Sequence, residues 1–141
     1  MTIVKSLLAL VVIVSVLFFL MGLKSQKGTA KGLTSGRLAD CGTAPNCVSS
    51  ESGVQPEKEV APLTGTLMQA RMAVLATGGT ITSETDQYIS ATYMSRIFKF
   101  VDDVELRDAG GGVVHIRSAS RTGYSDRGVN KARVDAIRDN M

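Results

Sequence analysis

The chain is short of the residues that most chemistry requires. It has one histidine, His115, and two cysteines, Cys41 and Cys47, and aromatic residues make up 5% of its 141 positions. A zinc site would need two more ligands beside the thiols, whose spacing is wider than usual, so no metal site is expected. Scarce aromatics without a basic-aromatic stripe exclude a nucleic-acid module. There is no Gly-x-Ser-x-Gly elbow, no phosphate loop and no internal repeat, so no cofactor is expected and no catalytic residue stands out.

A further absence is informative. No charged residue occurs from Ser6 to Leu23, a run long enough to cross a bilayer core as a helix. A cleaved secretory leader is the rival reading, with Lys5 as its basic start. The apolar region is longer than a leader needs, and no small-x-small cleavage site follows before Lys24. The expectation is therefore an uncleaved anchor that meets the lipid bilayer through residues 6–23. Two signals disagree on its orientation. Lys24, Lys27, Lys31 and Arg37 follow the span, which by the positive-inside rule favours a cytoplasmic domain. The isolated cysteine pair suits a disulfide in an oxidising compartment, where closing so short a loop is worth roughly 2 kcal/mol. The cysteines set the expectation: one pass through the inner (cytoplasmic) membrane, with a periplasmic domain. The net charge of +3 lies largely just after the span, where lysines meet lipid headgroups.

The chain divides into an anchor (1–23), a flexible Gly/Ser/Thr/Lys tether (24–38) and one domain (39–141). Asp40 to Pro62 is expected to be irregular chain laid over the domain surface. From Thr66, Leu67, Met68, Arg71, Met72, Val74 and Leu75 recur at helical spacing, and Gly78-Gly79 ends that helix. Strands are expected at Thr80–Thr82, Gln87–Tyr93, Ile97–Arg107 and Val113–Arg121. A last helix, capped by Ser125 or Asp126, runs to about Asp139. The predicted fold is α+β: a transmembrane helix, a helix, a four-stranded antiparallel sheet with one face under the helices, and a C-terminal helix.

Alternation turns Phe98, Phe100, Val104 and Leu106 to the core, with Val114 and Ile116 opposite. Folding the hairpin about Gly110 pairs Leu106 with Val114, Val104 with Ile116 and Asp102 with Ser118. On the open face it pairs Asp103 with Arg117 and Glu105 with His115. His115 thus lies on the face opposite Ser118 and Ser120. Asp102 points to the apolar side, where a carboxylate needs a partner. A structural knot of Asp102, Ser118 and Arg133 would fix the last helix on the sheet. Asp102, Arg117, Ser118, Ser120, Arg121, Ser125 and Arg133 are alternatively a candidate ligand-binding set, because arginines and a helix N-terminus favour anions.

Two resemblances need weighing. Val74-Leu-Ala-Thr-Gly-Gly-Thr-Ile81 looks like the nucleophile segment of L-asparaginases, but that family is much longer and its other motifs have no counterpart here. The same letters fit a helix that ends in two glycines and enters a strand. The second resemblance rests on three pieces in order: Cys41-x5-Cys47 within Pro45-Asn-Cys-Val-Ser-Ser50, Phe100-Val-Asp-Asp-Val-Glu105, and Ile116-Arg-Ser-Ala-Ser-Arg-Thr-Gly-Tyr-Ser-Asp-Arg-Gly-Val-Asn-Lys-Ala-Arg133. Together they resemble the domain-of-unknown-function 1499 family from about Leu38 to the end. Gly42, where relatives often carry proline, and Lys131-Ala132, in place of a more basic pair, are departures. The resemblance implies a small envelope- or membrane-associated domain without an established activity.

Two functions from different classes follow. One is a non-enzymatic, membrane-anchored envelope protein that binds an envelope partner or a small anionic ligand through its Arg/Ser/Asp cluster. The other is an envelope hydrolase using Asp102 and a nearby serine. Redox work by the cysteines would need a labile, low-pKa thiol.

Overall fold

A computed structural model describes residues 1–141. The apolar run forms α1 (Thr2–Gln26), 25 residues with a mean hydropathy of 2.9 over its most apolar window and only Gly22 and Ser25 buried. A two-stranded ribbon follows, β1 (Leu33–Thr34) with β2 (Arg37–Leu38), then β3 (Cys47–Ser49), a 3-10 turn at Pro56–Lys58 and β4 (Leu63–Thr64). Next come α2 (Leu67–Ala76), β5 (Thr80–Glu84), β6 (Tyr88–Met94), β7 (Val101–Gly110), β8 (Val113–Ser120) and α3 (Val129–Asp139).

The main sheet has six strands rather than the expected four. Its order is β3-β8-β7-β6-β5, all antiparallel, and β4 also pairs with β8. Of the two added strands, β3 comes from the stretch expected to be irregular and β4 follows directly after it. Val48 and Val60 within that stretch are buried, as are Leu38 and Leu63 on either side, and β3 continues the ladder along the outer edge of β8. Two- and three-residue strands carry too little alternation to be legible in the sequence.

One sheet face packs under α2 and α3, as expected. Val104, Leu106, Val114 and Ile116 of the hairpin meet Ala70, Ala73 and Val74 of α2 and Val134 and Ile137 of α3. Thr66 and Gln69 close a reciprocal capping box that starts α2. The buried stripe of α2 is Leu67, Ala70, Ala73 and Val74, while Met68 and Met72 are exposed.

The hairpin register differs by two residues from the one expected. Val104 lies opposite Ser118, Leu106 opposite Ile116, Glu105 opposite Arg117, Arg107 opposite His115, Asp102 opposite Ser120 and Asp103 opposite Ala119. The chain reverses at Gly111-Gly112, whose φ values of 62° and 79° suit a tight two-residue hairpin turn, and a bulge between Asp108 and Gly110 absorbs one residue. A shift of two preserves the in/out alternation, so every face assignment within β7 and β8 survives while every cross-strand partner changes. Phe98 and Phe100 precede β7 and are not core residues. Their rings lie 5.4 Å and 6.3 Å from that of Phe18 on α1.

The stretch expected to be a tether carries the last turn of α1 and the β1–β2 ribbon, and it crosses the second face of the sheet. Gly32 N–H donates to Glu105 Oε1 at 2.7 Å, and Leu38 N–H donates to Glu51 at 3.1 Å. Ser25 Oγ accepts from Val101 N–H at 3.0 Å, so the end of α1 is docked on the start of β7.

Candidate functional site

The seven candidate site residues lie on both sides of the sheet. Asp102, Ser118, Ser120 and Arg133 gather under α3. Arg133 Nη2 donates to Asp102 Oδ2 at 2.7 Å, and its Nη1 donates to Asn130 Oδ1 at 2.7 Å and Ser118 Oγ at 3.2 Å. Ser118 Oγ donates to Asn130 Oδ1 at 2.6 Å, and Asn130 Nδ2 reaches Ser120 Oγ at 3.1 Å and the Asn46 carbonyl at 3.0 Å. The guanidinium of Arg133 also sits 4.6 Å from the ring centre of Tyr93, a cation-π contact. The geometry of the expected knot is therefore present. Its hub, fully buried Asn130, was missed; its only signal was a polar residue on the stripe with Val134 and Ile137.

Ser125 does not cap α3. Its hydroxyl accepts from Arg127 N–H at 3.3 Å, while the Asp126 carboxylate accepts from Gly128 N–H at 3.1 Å and Asn130 N–H at 2.7 Å. Left-handed Gly128 (φ 82°) sets the helix start later than either expected cap. Asp102, Ser120 and Ser125 share a groove of about 600 Å³ whose other wall is Phe18 and Met21 of α1.

Arg117 and Arg121 point to the other face, which is covered rather than open. Asp103 does not meet Arg117. Arg121 grips it in a fork, at 2.8 Å and 2.7 Å, and also donates to the carbonyls of Ser25 and Gly28. The hydrogen bond to Asp103 raises the pKa of Arg121 further against the opposing effect of burial. Glu105, with no exposed surface, does not meet His115. It accepts from Arg117 at 2.7 Å, Tyr88 Oη at 2.7 Å and Gly32 N–H. Burial, and then the bond to Glu105, push the Tyr88 hydroxyl pKa well above its usual range. His115 instead meets Ser50 through Nδ1, 3.0 Å from its carbonyl and 3.1 Å from its hydroxyl.

The third carboxylate on this face, Glu51, accepts from both Arg107 and Arg37 and from Leu38 N–H. Burial opposes its ionisation, but the hydrogen bonds from Arg107, Leu38 and Arg37 outweigh burial and hold its pKa at about 2. Sequence reasoning missed Glu51, which lies far from the hairpin in the chain.

Three carboxylates (Asp103, Glu105, Glu51) thus face four guanidiniums (Arg121, Arg117, Arg107, Arg37) across this layer. Arg117 is the least satisfied of them. It is 4% exposed, makes one ion pair, and its buried Nε–H has no acceptor. Arg117 lines a hollow of about 200 Å³ together with Lys31, Arg121, Thr29, Ser120 and Asp103, whose carboxylate is already held by Arg121.

Cys41 and Cys47 form the expected disulfide, which closes the loop leading into β3. No group of three or more His, Cys, Asp or Glu side chains is placed to hold a metal ion.

The cysteine loop, the paired acids of β7 and the Arg/Ser run of β8 into α3 thus belong to one folded unit. A family model described as "Protein of unknown function (DUF1499)" matches residues 37–141. The chain belongs to the DUF1499 family. The match begins at β2 and takes in every strand of the main sheet, both packing helices and the disulfide, leaving α1 and the crossing segment outside it. No curated protein and no solved structure gives a significant match to the chain.

Proposed function

We propose that this DUF1499 protein is a single-pass membrane protein of the cell envelope whose domain is a non-enzymatic binding module. In this reading α1 spans the inner membrane and the domain lies on its periplasmic side. The site is the corner formed by Lys31, Arg117 and Arg121, and it takes a small anionic ligand or an acidic group of an envelope partner. The observation that carries the reading is Arg117: a buried cation with one ion pair, an orphan Nε–H and a hollow beside it. An anion in the hollow would take charge-assisted hydrogen bonds from the basic side chains that line it. The surplus guanidinium on this face supports the same sign of ligand.

The probe is inorganic phosphate added to the full chain in detergent micelles. Thermal unfolding is compared with chloride at matched ionic strength. Phosphate is expected to raise the Tm of the wild type but not of Lys31→Gln, a change at an exposed side chain that leaves the fold intact. Equal Tm values in the two salts reject the anion site. Alkaline phosphatase fused after Met141 tests the side of the membrane, and an inactive fusion places the domain in the cytoplasm.

One observation favours the hydrolase alternative: Asp102 and Ser120 line the same groove. Against it, the Asp102 carboxylate is engaged by Arg133, and Ser118 is fully buried. That alternative requires Asp102→Asn to keep the fold and abolish an activity.

A further inference from the structure

The loop joining β6 to β7 has an exposed apolar tip that neither the core nor the anion corner uses. Ile97 is 76% exposed and Met94 55% exposed. Large apolar side chains at such exposure are common singly, but here they adjoin an apolar helix that has no protein partner along most of its length. The loop is also a fixed shape. Ser95 N–H donates to the Phe100 carbonyl at 2.8 Å, Phe100 N–H donates to Ser95 Oγ at 2.9 Å, and Lys99 turns the chain at φ 58°.

Its position along α1 sets its depth. The backbone carbonyl of Phe98 lies so close against Gly22 that a Cβ at that glycine would collide with it. The Phe98 and Phe100 rings reach on to Phe18. Phe18 is five residues inside the last apolar residue of the span, Leu23. At the helical rise this is roughly 7 Å below the end of the run. The loop backbone thus lies level with Gly22 near the end of the run while its two rings reach down to Phe18, within the roughly 5–10 Å over which interfacial elements bury their apolar face.

Charge fits the same surroundings. Arg96 and Lys99 flank Ile97-Phe98, and Lys24 and Lys27 stand at the helix end. All four are exposed and none is in a salt bridge. Long basic side chains bury their stems while their heads rise to the phosphates, and an anionic surface attracts them. Tyr124, 76% exposed, lies on the same side of the domain, in the groove shared with Phe18 and Met21. Tyrosine is enriched at this level of a bilayer.

We propose that the Ser95–Phe100 loop is a second membrane-contacting element, seating Ile97 and Phe98 in the lipid interface beside α1 with Arg96 and Lys99 at the phosphates of anionic lipids. The domain is then held to the membrane at two points, α1 and the loop, which fixes the face it presents to solvent. This inference rests on α1 being a membrane span.

The chain has no tryptophan, so a single introduced one reports its own surroundings. Three variants of the full chain, Phe18→Trp, Ile97→Trp and Asp86→Trp, are reconstituted in vesicles of phosphatidylcholine and phosphatidylglycerol. A matched set carries lipid brominated near the carbonyl end of the acyl chains. Asp86 is exposed in the β5–β6 turn, at the opposite end of β6 from the loop. Ile97→Trp and Phe18→Trp are expected to show blue-shifted emission and to lose most of their intensity to the brominated lipid, while Asp86→Trp loses none. If Phe18→Trp is quenched and Ile97→Trp is not, the loop proposal is overturned and the span stands. If neither is quenched, the span reading fails and the loop proposal fails with it. Protection of Ile97→Trp from aqueous acrylamide without quenching by the lipid would mean that protein, such as a second copy of the chain, covers the tip, which also overturns the proposal.

Discussion

Arg133 on α3 donates to Asp102 on β7 at 2.7 Å, with the two side chains 11% and 14% exposed. This ion pair, with Asn130 and Ser118 behind it, is the polar tie between the last helix and the centre of the sheet.

Asp102→Asn removes the charge and leaves Arg133 held by neutral acceptors and the Tyr93 ring. Breaking one partner of a mostly buried pair is expected to destabilise the domain by about 2–4 kcal/mol. Chemical denaturation of the full chain in detergent measures the loss, and an unchanged midpoint would show that the pair contributes nothing.

Glu105→Gln acts on the other face. The amide keeps the shape but leaves the buried Arg117 without its one carboxylate, and the crossing segment loses a charged acceptor for Gly32 N–H. A loss of about 3–5 kcal/mol is expected. Faster proteolysis within residues 28–36 should accompany it. Tyr88→Phe, which removes only one neutral donor from Glu105, should cost nearer 1 kcal/mol.

Glu51 contributes to acid stability. Its folded pKa, about 2, lies below its ordinary value of 4.5. A depressed carboxyl contributes stability that is complete above the unfolded pKa and lost as pH falls through the folded one. Denaturation midpoints should therefore fall between about pH 4.5 and pH 2, by up to roughly 3 kcal/mol from this group. In Glu51→Gln that part of the acid sensitivity should be absent. A wild-type profile flat across this window would contradict the assignment.

Reduction of Cys41–Cys47 frees a loop packed on the edge of β8. The double variant Cys41→Ala/Cys47→Ala should lose about 2 kcal/mol and keep its fold, because the bridge closes a short loop beside a core that it does not enter. Loss of the folded state would assign the bridge a larger part than loop closure.

The legible parts of the fold were those with strong local patterns. The uncharged run from Ser6 to Leu23 became α1, the alternation in Val104–Leu106 and Val114–Ile116 chose the buried face, and Gly78-Gly79 closed α2. Asp102 was placed on the helix side with Arg133 and Ser118 as partners, because a carboxylate among apolar neighbours has few choices. Glu51 and the Asp103–Arg121 fork were not legible, since nothing in their neighbours along the chain points to them, and Asn130 showed only as a polar residue on the buried stripe of α3. The strands at Cys47–Ser49 and Leu63–Thr64 were too short to leave a period.

The chain's own order of residues determined what is apolar and which way each hairpin side chain points, because both follow from neighbours one to four positions away. Only the tertiary structure decided which acid meets which arginine. That choice depended on the turn at Gly111-Gly112 together with a bulge at Ala109, which between them move every cross-strand partner by two and so turn no side chain over. It depended equally on a glycine-rich segment from the helix end laid across a face that alternation alone had left open to water.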